Sequence, residues 1–291
     1  TAAEKLGPDY EAEAIEDTPL LRRQIARRCI YGVDVNPMAV RLARLSLWTH
    51  TFVPGLPLSF LNKNIVRGNS LVGIADFDEA SDLLGGDVTF YKKQVEEFLE
   101  PYREKVQKLA ELSDETAAQV KEARREHAEL NEELKPLRRM LTVLTASRLP
   151  EMDYQATIED FQPLESERAL ELYEQASGVL GELEPFHFPT AFPGVFLRDR
   201  PGFDVIIGNP PWEKSKTEED EFWTRHMPGL ASLPQHRQEE KKDKYRQTRP
   251  DLVQKYNAEV DRSERQRAVL THGPYPGIGT GDPDVYKAFC W

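Results

Sequence analysis

Three short apolar runs stand out from an otherwise polar chain, and each gives way to a polar turn. Gly202-Phe203-Asp204-Val205-Ile206-Ile207-Gly208 predicts a short, fully buried strand that Pro210 and Pro211 stop, because neither proline can donate to a ladder. Cys29-Ile30-Tyr31-Gly32-Val33-Asp34 predicts a second buried strand, ending in an acid. Behind it Met38 to His50 reads as an amphipathic helix with Pro37 near its start; Val40, Ala43 or Arg44, Leu47 and Thr51 share one side, and Trp48 is expected in the core. Asn64 to Leu71 predicts a third strand and a polar turn. Strand, turn and helix in alternation predict an α/β fold with functional groups just beyond the carboxyl ends of parallel strands.

The period changes after Gly85-Gly86. Val95, Leu99, Tyr102, Val106 and Leu109 alternate steps of four and three, as do Val120, Ala123, His127, Leu130, Leu134, Leu137, Leu141 and Leu144. Two such runs predict an antiparallel helical hairpin, with Leu112-Ser113-Asp114-Glu115 as helix stop and new cap, Pro101 kinking or starting the first arm and Pro136 bending the second. A further helix over about 164–183 carries Leu172, Ala176, Leu180 and Leu183. The block 87–184 thus reads as a coiled-coil-like insertion between two parts of one sheet, 1–86 and 185–291. As an arm it suits a clamp on DNA or on a partner subunit, or a solvated structural element. Pro185 to Pro201 is expected to be an ordered loop returning the chain to the sheet, with His187 packed inside it. Beyond Trp212 the polar segment is read as helical over about 250–269 and partly mobile over 239–244.

Composition narrows the class. Charged residues make up 30% of the 291 and hydrophobic ones 39%, as in a soluble protein with a modest core and long exposed helices. No apolar stretch approaches a membrane span and no targeting pattern opens the chain, so the expected compartment is the cytoplasm. Cys29 and Cys290 are the two cysteines and no cluster has metal-ligand spacing; a metal-free, reduced interior with Cys29 in the core is expected. A net charge of −12 argues against blanket electrostatic binding of nucleic acid, yet 213–267 carries 13 Lys and Arg against 12 Asp and Glu and tolerates a phosphate backbone. Arginines near the end of 20–28 suit either phosphate contact or a solvated helix end. Gly277-Ile278-Gly279-Thr280-Gly281 has no strand before it and reads as a lead into the final helix rather than a phosphate loop.

The chemistry that suits Asn209-Pro210-Pro211-Trp212 is methyl transfer to a planar exocyclic amine. Such a nitrogen is a poor nucleophile because its lone pair is delocalised. Acceptance of its N–H groups by the Asn209 side-chain oxygen and the Pro210 carbonyl frees the lone pair, while Pro211 stiffens the loop and Trp212 offers a stacking face. An acid at a strand tip, such as Asp34, suits the two hydroxyls of a ribose.

In their order, "YGVDVNPMAVRLARLSLW", "PLSFLNKNIVRGNSLVG" and "GFDVIIGNPPW" resemble motifs II, III and IV of the S-adenosylmethionine-dependent adenine-N6 DNA methyltransferases, most of all the Eco57I-like or BREX-type methylases of restriction-modification and phage defence. Asp284 to Phe289 is similar to the helix that follows in that family. The resemblance implies a doubly wound, Rossmann-like methyltransferase sheet, present here in part. It also implies S-adenosylmethionine as cofactor and double-stranded DNA with a flipped adenine as partner. Asp34 would hold the ribose with Val35 beside it, Asn69 the cofactor adenine with Ser70 beside it, and Asn209 to Trp212 the target base. The family's glycine-rich loop is expected tens of residues before Asp34. Residues 1–28 contain only Gly7, so the chain reads as a piece of a longer protein whose cofactor pocket is completed upstream. Two other readings fit parts of the pattern. Methylases of glutamine N5 or guanine N2 share the Asn-Pro-Pro-aromatic loop, and a non-catalytic DNA-clamping or assembly fragment would use the helical arm alone.

Overall fold

The computed structural model describes residues 17–54, 56–57, 61–84, 88–112, 116–209 and 217–275. Pro210 to Trp212, Gly7, Gly55, the Gly85-Gly86 pair, Ser113 to Glu115, the 277–281 glycines and residues 284–289, where a final helix is expected, lie outside them. The chain forms two compact units. The first comprises residues up to Leu144 with Gln155–Glu174 and Pro185–Ile206; the second comprises Thr145–Tyr154, Gln175–Glu184 and the chain from Ile207 onward.

The first unit contains the sheet. Helix α1 (Asp17–Arg28) leads into β1 (Gly32–Asp34), α2 (Pro37–His50) follows, and β2 (Ile65–Arg67) pairs with β1 in parallel, with Gly32 opposite Ile65 and Asp34 opposite Arg67. Helix α2 starts where the sequence puts it. Asn36 caps it by accepting from Met38 N at 2.8 Å and Ala39 N at 3.4 Å, and Pro37 occupies the first turn, where its missing N–H costs nothing. Val40 and Thr51 are buried and Leu47 and Arg44 half-buried, so the predicted face is the inward one. Trp48 is half-buried at the helix edge, 6.0 Å from Phe52, rather than in the core.

Beyond β2 the chain makes a tight turn over 70–73 and lies alongside the 185–188 segment. Asn69 bridges Pro185 in parallel, Phe186 N donates to Val72 O at 2.6 Å and Phe188 N to Ile74 O at 3.1 Å. Two glycines permit this approach. A Cβ on Gly68 would lie 2.2 Å from the Phe186 ring; one on Gly73, whose φ is +132°, would lie 2.1 Å from the Phe186 carbonyl oxygen. His187 is buried in the seam. Its Nδ1 accepts from Ile74 N at 3.2 Å, which leaves the proton on Nε2 to donate to Thr142 Oγ1 at 3.1 Å, while that hydroxyl donates to Arg138 O at 2.9 Å. It is a packed structural residue, as expected. The predicted return loop holds two single-turn helices, α8 (Phe188–Ala191) and α9 (Pro193–Phe196), and an aromatic cluster of Phe186, Phe192 and Phe196 against Tyr31, Val33 and Val66.

The helical block takes the predicted hairpin form. After α3 (Phe77–Leu83), α4 (Val88–Glu111) runs through Pro101, and α5 (Ala117–Glu133) returns beside it; Tyr102 donates to Glu133 O at 3.2 Å and Lys105 pairs with the Glu133 carboxylate. The cap is Thr116, one residue beyond the predicted position, in a reciprocal capping box with Gln119. Pro136 divides rather than bends the second arm, because α5 ends at Glu133 and α6 (Lys135–Ala146) starts with the proline in its first turn. Leu130, Leu134, Leu137, Leu141 and Leu144 are all buried. Helix α7 (Glu167–Leu180) follows, with Leu172, Ala176, Leu180 and Leu183 buried as the spacing requires.

Three expectations are corrected. The run Val205-Ile206-Ile207 is not a buried strand: its residues are 73%, 74% and 92% exposed and pair with no strand among the described residues. An apolar run becomes an interior strand only when neighbours take up its N–H and C=O groups on both edges, and the described sheet has two strands. The partial α/β sheet is therefore small, and the described fold is mostly helical. Cys29 is exposed, because it lies in the turn after α1 and the strand begins only at Gly32. Residues 239–244 are not a mobile stretch but the middle of α11 (Gln235–Thr248).

The second unit has its own core. Phe222 and Trp223 of α10 (Glu219–His226), with Met227, Leu230 and Leu252, form a cluster that α11 and α12 (Pro250–Thr271) cover. Lys242 is buried between Asp220 and Glu239. Burial alone would lower the pKa of its ammonium, and the two carboxylate hydrogen bonds outweigh that and raise it. Arg246 ties α11 to Glu219, whose carboxylate also accepts from Trp223 Nε1 at 2.9 Å.

Candidate cofactor site at the strand tips

Asp34 is the last residue of β1, and its side chain is exposed beyond the carboxyl end of the strand. One carboxylate oxygen accepts from Asn36 N at 2.7 Å; the other carries no hydrogen bond among the described residues. The same turn thus orients the acid and, through Asn36, starts α2. Arg44 of α2 donates through Nε to Ile65 O at 2.8 Å and holds the helix against the start of β2.

The parallel register then brings the second predicted residue alongside. Gly68 N donates to Asp34 O at 3.1 Å, so the β2 chain passes the tip of β1 one residue before Asn69. The Asn69 side-chain oxygen accepts from Leu71 N at 3.1 Å, closing a tight polar turn, and its Nδ2 makes no hydrogen bond among the described residues. Ser70 is half-buried in that turn; Val35 is 55% exposed beside Asp34, with its carbonyl accepting from Arg67 Nε at 3.3 Å. Asp34, Val35, Asn69 and Ser70 therefore share the carboxyl ends of two adjacent parallel strands, an acceptor on one side and an amide donor on the other. These groups fit the diol and the base edge of an adenosine, so the residues present suit S-adenosylmethionine.

Asn209 belongs to the second unit and is exposed there. What leads toward it is anchored in the first. Phe203 packs 5.6 Å from Tyr31 and 5.8 Å from Phe192, Gly202 turns at a φ of +101°, and Arg198 donates to Gly202 O at 2.5 Å and to Asp204 Oδ2 at 3.4 Å.

A profile of the Eco57I restriction-modification methylase matches residues 28–260, which includes both strand tips, the helical block and Asn209. The chain belongs to this family. Membership in the Eco57I methylases supports DNA methyl transfer in a restriction-modification setting, and methylases of this kind typically use S-adenosylmethionine. No curated protein and no solved structure matches the chain. No helix among the described residues is long and apolar enough to cross a membrane, and those residues hold no group of metal-binding side chains.

Sequence reasoning missed the roles of Asn36 and Arg44, though Asn before Pro at a helix start is a legible capping signal. It also treated the α1 arginines as solvated or phosphate-facing. Arg23 and Arg27 are buried, and Arg27 donates to the Leu112 carbonyl at the end of the first arm.

Proposed function

We propose that this chain is a segment of a DNA adenine-N6 methyltransferase of a restriction-modification or phage-defence system, with 1–86 and 185–291 forming parts of the catalytic core and 87–184 an insertion. The observation that carries the reading is the Asp34 and Asn69 pair at adjacent strand tips, followed in the same chain by Asn209-Pro210-Pro211-Trp212. S-adenosylmethionine would supply an electrophilic methyl group. Asp34 would accept from the ribose hydroxyls with Val35 beside it, and Asn69 would donate through Nδ2 to the cofactor adenine with Ser70 beside it. The target is an adenine flipped from double-stranded DNA, because its amine is buried in the duplex; extrusion costs a few kcal/mol. Asn209 and Pro210 accept the two N–H groups of that amine, Pro211 holds the loop rigid, and Trp212 stacks on the base. With the cofactor bound, the amine nitrogen would take the methyl as the sulfonium S–CH3 bond breaks and its electron pair stays on sulfur, leaving the neutral thioether, and the nitrogen would give up one proton to solvent. The cytoplasm, with its DNA, is the expected site of action, and partner subunits of a defence system are expected to dock on the helical arm.

The test is methylation of duplex oligonucleotides by the full-length protein, read as N6-methyladenine by nucleoside mass spectrometry. Asn209→Ala should lower kcat by about 100-fold or more, the scale for losing one preorganised transition-state contact. Full activity in that variant would sink the mechanism. Methylation of peptide glutamine or of guanine N2 in place of adenine would reassign the acceptor.

A further inference from the structure

A helix without an apolar face draws its stability from charge pairs or from a partner. Helix α11 is close to that limit, since Tyr245 is its one hydrophobic residue and packs on the core of the second unit. Its 14 residues hold five Lys and Arg against three Asp and Glu, a local excess of positive charge in a chain whose net charge is −12. Two of the five cations are held internally: Lys242 pairs with Asp220 and Glu239, and Arg246 with Glu219 and Asp243. The other three, Arg237, Lys241 and Lys244, are exposed and form no ion pair among the described residues.

Steps of four and three residues set those three on one line along the helix, and the exposed Thr248 continues it four residues on. The line runs about a quarter turn from the face that carries Lys242 and Tyr245. Glu239 and Asp243 lie on the far side with their internal partners, and Glu240 flanks the line about 70° round the helix. Like charges at these spacings repel and cost helix stability, a cost that a polyanion lying along the row removes. From Arg237 to Lys244 the row covers about 10 Å of helix axis, the axial length of roughly three phosphates of one duplex strand. It presents no aromatic ring on which unpaired bases would stack, and lysines are depleted from the cores of protein interfaces. What it fits is a duplex backbone. Asn209 belongs to the same compact unit.

We propose that Arg237, Lys241 and Lys244 form a phosphate-contact row that lies along the backbone of duplex DNA and holds it without reading its sequence. The inference rests on the DNA-methylase reading above for the identity of the polymer and adds the surface that holds it.

The experiment is fluorescence anisotropy of labelled duplex oligonucleotides titrated with the full-length protein over a series of salt concentrations. Arg237→Gln, Lys241→Gln and Lys244→Gln should each make the log–log salt dependence shallower by about 1, and the triple variant by about 2–3 with at least 10-fold weaker binding at low salt. The loss should be the same on duplexes of unrelated sequence, because phosphate contacts carry no base information. Lys255→Gln combined with Arg262→Gln, exposed cations of α12, should leave the slope unchanged. In methylation assays the triple variant should raise KM for DNA and keep kcat. Glutamine preserves helix propensity, circular dichroism checks folding, and the single variants keep the test decisive if the triple fails to fold. Row-dependent duplex binding by a protein that methylates no adenine would uphold this surface while removing the proposed acceptor. Absence of duplex binding, an unchanged slope in the row variants, an equal change in the α12 pair, loss confined to one sequence, or displacement of the duplex by poly-L-glutamate at equal charge would each overturn the proposal.

Discussion

The leucine stripe from Leu130 to Leu144 and the run Val205-Ile206-Ile207 are comparably apolar, yet the first is fully buried and the second stands in solvent. The difference lies in where each conformation finds its hydrogen bonds. A helix satisfies its own backbone, so a stripe at steps of three and four needs only one apolar surface to cover it. A strand carries N–H and C=O groups that only other strands can take up, and a run with both faces apolar needs covering layers as well. A heptad pattern therefore predicts burial from local information, while a run such as Gly-Phe-Asp-Val-Ile-Ile predicts it only conditionally.

The contrast can be broken most directly at its buried end. Leu141→Ala should destabilise the first unit by about 2–5 kcal/mol in chemical denaturation, the usual cost of emptying a leucine site in a packed core. A loss below 1 kcal/mol would mean that the stripe is not packed as described. Next comes the seam that carries the chain past the β2 tip. Gly73→Ala should cost about 1–3 kcal/mol, because a Cβ there meets the Phe186 carbonyl and the φ of +132° disfavours any side chain.

His127 sharpens the comparison through pH. Its folded pKa of about 4 lies below the unfolded 6.5, so between those values the unfolded chain binds the extra proton. The stability owed to the neutral imidazole is fully present above pH 6.5 and is lost as pH falls toward 4. From pH 7 to pH 5 this should remove about 1–2 kcal/mol, discounted for partial exposure, and His127→Gln should flatten that part of the profile. Equal slopes in the two proteins would assign the acid sensitivity to other groups. The smallest effect belongs to the exposed run: Ile206→Ser should change stability by less than about 0.5 kcal/mol, in contrast to Leu141→Ala. A large loss there would show that the run is covered in solution.

Much of the candidate site was readable from local rules. Asn36-Pro37 starts a helix, which places Asp34 at the end of the strand before it, and Asn69 closes a short polar turn after β2. The hairpin and α7 were likewise legible from spacing, and the cap moved by one residue because Thr116 and Gln119 satisfy each other's backbone groups. The buried α1 arginines were not legible, because α1 presents them at positions that read equally well as a solvated end until the arm lies across them. Nor was the 235–248 helix, whose charges look like a disordered run until Asp220 and Glu219, some 20 residues earlier, pair with Lys242 and Arg246.

By itself the sequence determined what depends on neighbours within a turn or two: the helix starts, the apolar stripes, and the acid and amide at the ends of two strands. The tertiary structure alone decided that those two strands run side by side in register, so that Asp34 and Asn69 share one end of the sheet and Asn64 is sealed at the other. Register arises from pairing between segments some thirty residues apart, and no short-range preference encodes it.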